Sequence, residues 1–99
     1  MKRKAGFPFY HLNGTSPQTH SELIERAYGK LVEAHSAMAE LAPNMRDYYP
    51  LPGAREEFDL ALQNHERRMN VLKGLMAELE ELAEYAALSM QRRGTPYEG

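Results

Sequence analysis

The chain is expected to fold as an all-α domain of two long antiparallel helices, and three observations lead there. Apolar residues recur at spacings of 4 and 3 along residues 24–42 and again along 58–90, the periodicity of helices that bury one face. Between the two runs lies residues 43–53, a segment with three prolines, which cannot carry a helix through because proline lacks the amide donor and clashes with the preceding turn. At 99 residues there is room for one domain, and a chain this short buries a smaller fraction of its surface than a larger one.

Residues 1–15 read as a basic, aromatic arm. Phe7, Phe9 and Tyr10 are interrupted by Gly6, Pro8 and Gly14, which suit an extended path better than a helix. The helical region is expected over 16–94. Thr15, Ser16 and Pro17 give its start: a hydroxyl cap, proline at the first helical position, and Gln18 three residues after Thr15 as in a capping box. Thr19 with Glu22 offers a second box. The first helix is predicted over about 17–42, with Ile24, Tyr28, Leu31, His35, Met38 and Ala42 as its seam and Leu23, Ala27, Ala34, Ala37 and Leu41 as an adjoining stripe. The loop 43–53 follows.

The second helix is predicted from near Ala54 to about Arg93, where Gly94 and Pro96 stop it and residues 95–99 form a tail. Glu56, Glu57 and Asp59 favour the positive end of its dipole, and Arg92 and Arg93 the negative end. Its seam is Phe58, Leu62, His65, Met69, Leu72, Met76, Leu79, Ala83, Ala86 and Met90. This heptad-like pattern is the most specific feature of the chain. The second helix is longer than the first by about 20 Å at ~1.5 Å per residue, so the seam from Glu80 to Met90 needs a cover. Either the aromatic arm or a second chain supplies it.

Composition narrows the function classes. There is no cysteine, which removes disulfides and Cys-based zinc sites and agrees with a cytoplasmic setting. A formal charge of -2 and a pI near 6.1 oppose a dedicated nucleic-acid binder; association through Lys2, Arg3, Lys4, Arg67, Arg68, Arg92 and Arg93 is kept as a second class. Lys2, Arg3 and Lys4 are followed by Pro8, His11 and Asn13 rather than by an apolar run, so no signal peptide is expected. No stretch approaches the ~18 apolar residues of a membrane span. Asn13-Gly14-Thr15 matches a glycosylation sequon, without consequence in a cytoplasmic chain.

With no covalent staple, self-association is the reinforcement open to so small a core. Seam spacing permits several antiparallel registers, and charge selects among them. A two-fold centred on Gly74 sets Arg67 opposite Glu81, Arg68 opposite Glu80 and Glu56 opposite Arg92. It also pairs Phe58 with Met90, Leu62 with Ala86, Met69 with Leu79 and Leu72 with Met76, while Arg55 falls unfavourably opposite Arg93. The expectation is an isologous homodimer forming a four-helix bundle. The alternative is that this seam packs only against the chain's own first helix. Exposed ion pairs, worth ~0.2 to 1 kcal/mol each, choose a register rather than drive assembly.

No set of residues amounts to a catalytic or cofactor site, and the chain is expected to be non-enzymatic, without a cofactor. His65-Glu66 opens an H-E-x-x-H pattern, but Met69 stands where the second histidine is needed. The Glu-x-x-His pairs of di-iron bundles are absent too, since Pro17, Val32 and Leu62 precede His20, His35 and His65 by three. In an antiparallel hairpin His35 and His65 are expected within about one or two helical turns of each other along the axis, both on seams, with Tyr28 nearby. A metal or pH switch there competes with the commoner hydrogen-bonded core pair. Met38, Met69, Met76 and Met90 suit irregular core packing. Glu80 and Glu84 belong to an acidic run that a solvated helix face explains.

The loop is the stronger candidate. Arg46, Asp47, Tyr48 and Tyr49 sit between prolines, and arginine and tyrosine are favoured at interface hot spots, more so on a stiff frame. The competing reading has the tyrosines plugging the open end of the hairpin and Asp47 capping local backbone. Arg46-Asp47-Tyr48-Tyr49-Pro50, followed by Phe58 and His65 on the next helix, resembles a group of small bacterial and phage-type helical hairpins. The likeness covers about half of the chain and implies a hairpin fold and no particular activity. Secreted hairpins with a Trp-x-Gly turn fit less well, because the chain has no tryptophan. The expected role is a small protein-interaction and oligomerisation module with an unknown protein partner.

Overall fold

The computed structural model describes residues 3–91 and is all-helical: α1 Pro17–Ala39, a 3₁₀ turn Met45–Asp47, and α2 Ala54–Gln91. The expectations placed on Lys2, Arg92, Arg93, Gly94 and Pro96 lie outside the described residues. No helix among the described residues is long and apolar enough to cross a membrane. The helical hairpin divides into two compact units, one of Met1–Gly29 with Ala77–Gly99 and one of Lys30–Met76. Each helix contributes to both units, and in each the two helices pack together.

In the first unit the cap is Ser16 rather than Thr15. The Ser16 Oγ accepts from the Thr19 amide at 3.0 Å and its carbonyl accepts from His20 at 2.9 Å. Pro17 then occupies the first helical position, where its missing donor costs nothing. The arm opens with a turn in which the Phe7 amide donates to the Lys4 carbonyl at 2.9 Å. Gly6 takes φ +88° there, a left-handed conformation that side chains disfavour.

The core of this unit is built from three pieces of chain. Tyr10 of the arm, Ile24 of α1, and Tyr85 and Ala86 of α2 are buried, with Phe7, Leu79, Leu82 and Ala83 packed around them. Tyr85 is the hub. Its ring meets Phe7 edge-on at 5.2 Å and stacks with Tyr10 at 5.6 Å, and its hydroxyl donates to the Pro8 carbonyl at 2.8 Å. The Tyr10 hydroxyl and His20 Nδ1 are hydrogen-bonded at 2.7 Å, and burial, with a smaller contribution from Tyr85, pushes the Tyr10 phenol up to about 12. Ser89, also buried, satisfies its hydroxyl on the Tyr85 carbonyl. The aromatic arm therefore covers α2 at Tyr85 and Ala86, one of the two covers the seam required.

The second unit is looser: none of its residues is fully buried. Leu31, His35 and Met38 of α1 and Phe58, His65, Met69, Leu72 and Met76 of α2 are half-buried, while Leu62 is exposed. The adjoining stripe of α1 is exposed throughout, with Leu23 and Ala27 in the first unit and Ala34, Ala37 and Leu41 in the second. One face of α1, not two, enters the packing. α1 ends at Ala39 rather than Ala42: the amides of Glu40, Leu41 and Ala42 each reach back only three residues. Pro43 pushes Ala42 toward extended backbone and offers no donor, so the helix tightens and stops.

Candidate functional site: the loop between the helices

Residues 43–53 are held by a relay of short hydrogen bonds. Asn44 leads it, extended at φ -119°, with its Oδ1 accepting from the Arg46 amide at 3.0 Å and its carbonyl accepting from the Asp47 amide. The Met45 carbonyl then accepts from Tyr48 and Tyr49, the Tyr48 carbonyl from Leu51, and the Leu51 carbonyl from Ala54. Leu51-Pro52-Gly53-Ala54 closes the loop with proline second and Gly53 third at φ +69°, the arrangement a tight turn requires where its third residue has positive φ. The Gly53 carbonyl accepts from Glu57, starting α2. The cap expected from Asp47 is thus supplied by Asn44, whose side-chain oxygen accepts from the amide two residues on in an Asx-type turn.

The two tyrosines have different roles. Tyr48 is half-buried and meets Phe58 edge-on at 5.8 Å. Tyr49 is 70% exposed. Met45, Leu51 and Leu41 are exposed with it, as are Arg46 and Asp47, and neither of these charged side chains is in an ion pair among the described residues. The loop therefore shows a tyrosine, an arginine, an aspartate and two apolar side chains, Met45 and Leu51, on a backbone that is already ordered. Composition pointed to the segment; which tyrosine faces outward follows from Phe58, ten residues after Tyr48, and is not visible in the tyrosine pair itself.

The remaining candidates are spread over both units. Arg67 and Arg68 are exposed and free of carboxylate partners among the described residues. Glu81 is paired with Lys4 of the arm. Glu80 accepts from the Tyr28 hydroxyl at 2.6 Å, a bond that raises the phenol's pKa. Gly74 is exposed, with open space where a side chain would begin. Phe58, Met69, Leu72, Met76, Leu79 and Met90 are half-buried within the single chain, and Ala86 is fully covered. Of the basic residues in the arm, Lys4 is engaged by Glu81 and Arg3 by the Phe7 carbonyl at 2.8 Å. His35 has a buried Nε2 with no hydrogen-bond partner, and among the described residues no three metal-capable side chains gather around it or His65.

These features stand without relatives to interpret them: no family model matches the chain, and no curated protein or solved structure is significantly similar to it.

Proposed function

We propose that this protein is a non-enzymatic interaction module that offers the loop from Met45 to Leu51 to a protein partner. One observation carries the reading: Tyr49 stands exposed on a loop whose backbone is already tied down, beside a Tyr48 that is anchored on Phe58. Preordering of this kind lowers the entropic cost of binding, and a displayed aromatic beside an arginine suits a hot spot. Tyr49→Ser is the test. It should abolish retention of the partner from cell extract while leaving helicity and thermal stability unchanged, because Tyr49 supports nothing inside the unit. Retention that survives Tyr49→Ser and Arg46→Ala together would remove the loop from the reading.

Self-association into a homodimer belongs to the same proposal. It is supported by the absence of any fully buried residue in the second unit and by the exposed stripe of α1. Ala86 is already covered in the single chain, so the Gly74-centred four-helix bundle would have to form without displacing the arm or at its expense. Light scattering over a concentration series, at low and high salt, decides whether a dimer exists; Leu62→Glu should dissociate it if the seam of α2 is the interface.

A further inference from the structure

A separate feature of the first unit points to a second kind of contact. Between α1 and α2 lies a half-open groove of about 250 Å³, lined by Ser21, Ile24, Glu25, Tyr28, Leu79, Glu80 and Ala83. Ile24, Leu79 and Ala83 make it apolar, and Glu25 and Glu80 bring one carboxylate from each helix. We propose that this groove receives a basic segment of a partner protein, one apolar side chain entering it and a lysine or arginine on either side reaching Glu25 and Glu80.

Size and charge both select this occupant. The volume lies below the ~300 Å³ at which pockets for drug-sized ligands begin, and suits a single side chain. The charge is acidic on balance: the described residues of this unit hold six carboxylates against Arg3, Lys4 and Arg26. In this unit α1 carries Glu22 and Glu25 against Arg26, while α2 carries Glu78, Glu80, Glu81 and Glu84 with no lysine or arginine from Ala77 to Gln91. Lys4 offsets Glu81, but neither Glu25 nor Glu80 is in an ion pair among the described residues. Tyr28 donates only to Oε2 of Glu80, which leaves the other carboxylate oxygen to a cation. Such a field repels anionic lipid surfaces and nucleic acids and attracts a cationic peptide.

The chain's own basic arm is not the occupant. Lys4, Gly6 and Phe7 line a different depression of about 350 Å³, with Glu78, Leu79, Glu81 and Leu82. Leu79 borders both spaces. The arm thus lies along one flank of α2, and the groove on the flank toward α1 is a separate space.

The test is an amide-shift titration of the isotopically labelled full chain with a short amphipathic leucine–lysine helical peptide, repeated with its leucine–glutamate counterpart. The expected result is saturable shifts confined to residues 21–28 and 79–83, with the glutamate peptide weaker by about tenfold or more, since two attractive pairs become repulsive. Glu25→Gln with Glu80→Gln should weaken the lysine peptide by about threefold or more and keep the fold, because the amide oxygen introduced by Glu80→Gln still accepts from the Tyr28 hydroxyl. The proposal is overturned by the absence of saturation, by equal binding of the two peptides, by an unaffected double variant, or by shifts at 44–51 instead. The last outcome would assign the peptide to the loop and leave the loop reading standing, so the two sites fail separately.

Discussion

Removing the Tyr85 side chain should undo the first unit, because that ring ties the arm to α2, and Tyr10 of the arm is in turn bonded to His20 of α1. Tyr85 is 6% exposed, touches Phe7 and Tyr10, and ties down the arm through its hydroxyl on Pro8. Tyr85→Phe keeps both ring contacts and loses one hydrogen bond, worth ~1 kcal/mol when the abandoned carbonyl is only half-buried. Tyr85→Ala loses the ring as well, and large-to-small changes at a buried aromatic cost ~3–5 kcal/mol, a large part of the ~5–15 kcal/mol that holds a whole domain together. Leu12→Ala is the control: it lies in the same arm but is 94% exposed, so its cost should stay within ~0.5 kcal/mol. Urea titration followed by circular dichroism ranks the three, and with a slope near 1 kcal/mol per molar the Tyr85→Phe midpoint should fall by ~1 M. The reasoning fails if Tyr85→Ala is no more damaging than Leu12→Ala, for then the arm does not rest on α2 in solution.

Further consequences can be measured on the same footing. Gly53→Ala places a side chain at φ +69° and should cost ~1–2 kcal/mol, whereas Gly74→Ala, mid-helix with open space around it, should gain up to ~1 kcal/mol; paired thermal melts compare them. His35→Leu removes a buried nitrogen that has no partner and should stabilise the protein by ~1 kcal/mol, while a loss of stability would show that His35 holds something in solution. Alkaline pH supplies another test. The Tyr10 phenol is raised from 10.0 to about 12 on folding, so the unfolded chain releases its proton first. Its contribution is intact below pH 10 and is lost as pH climbs from about 10 toward 12, by ~2–3 kcal/mol in all. Stability measured over that range should fall less steeply in Tyr10→Phe than in the wild type.

The helices were legible because they are written redundantly. Ile24, Phe58, Met69, Leu72 and Leu79 repeat one period many times over, and Pro17 and Pro43 punctuate it, so α1 and α2 begin where the sequence places them. Caps and C-terminal ends are written once and are less sharply specified. Three successive residues, Thr15, Ser16 and Pro17, could each begin α1, and only the Ser16–Thr19 bond decides. At Ala39 the change from four-residue to three-residue hydrogen bonds leaves no mark in side chains that are all compatible with a helix.

The arm and the loop expose a different limit, one of long-range pairing. A seam that outruns its partner helix demands a cover, but spacing cannot choose between a second chain and residues 77 positions away. The choice is made by matched chemistry: Tyr85 is the one large aromatic on the last turns of α2, and it meets Phe7, Pro8 and Tyr10, the apolar run of the arm. Lys4 and Glu81 agree with the same placement. The loop follows the same logic in reverse. Tyr48 finds Phe58 and turns inward; Tyr49 has no such partner and stays outside.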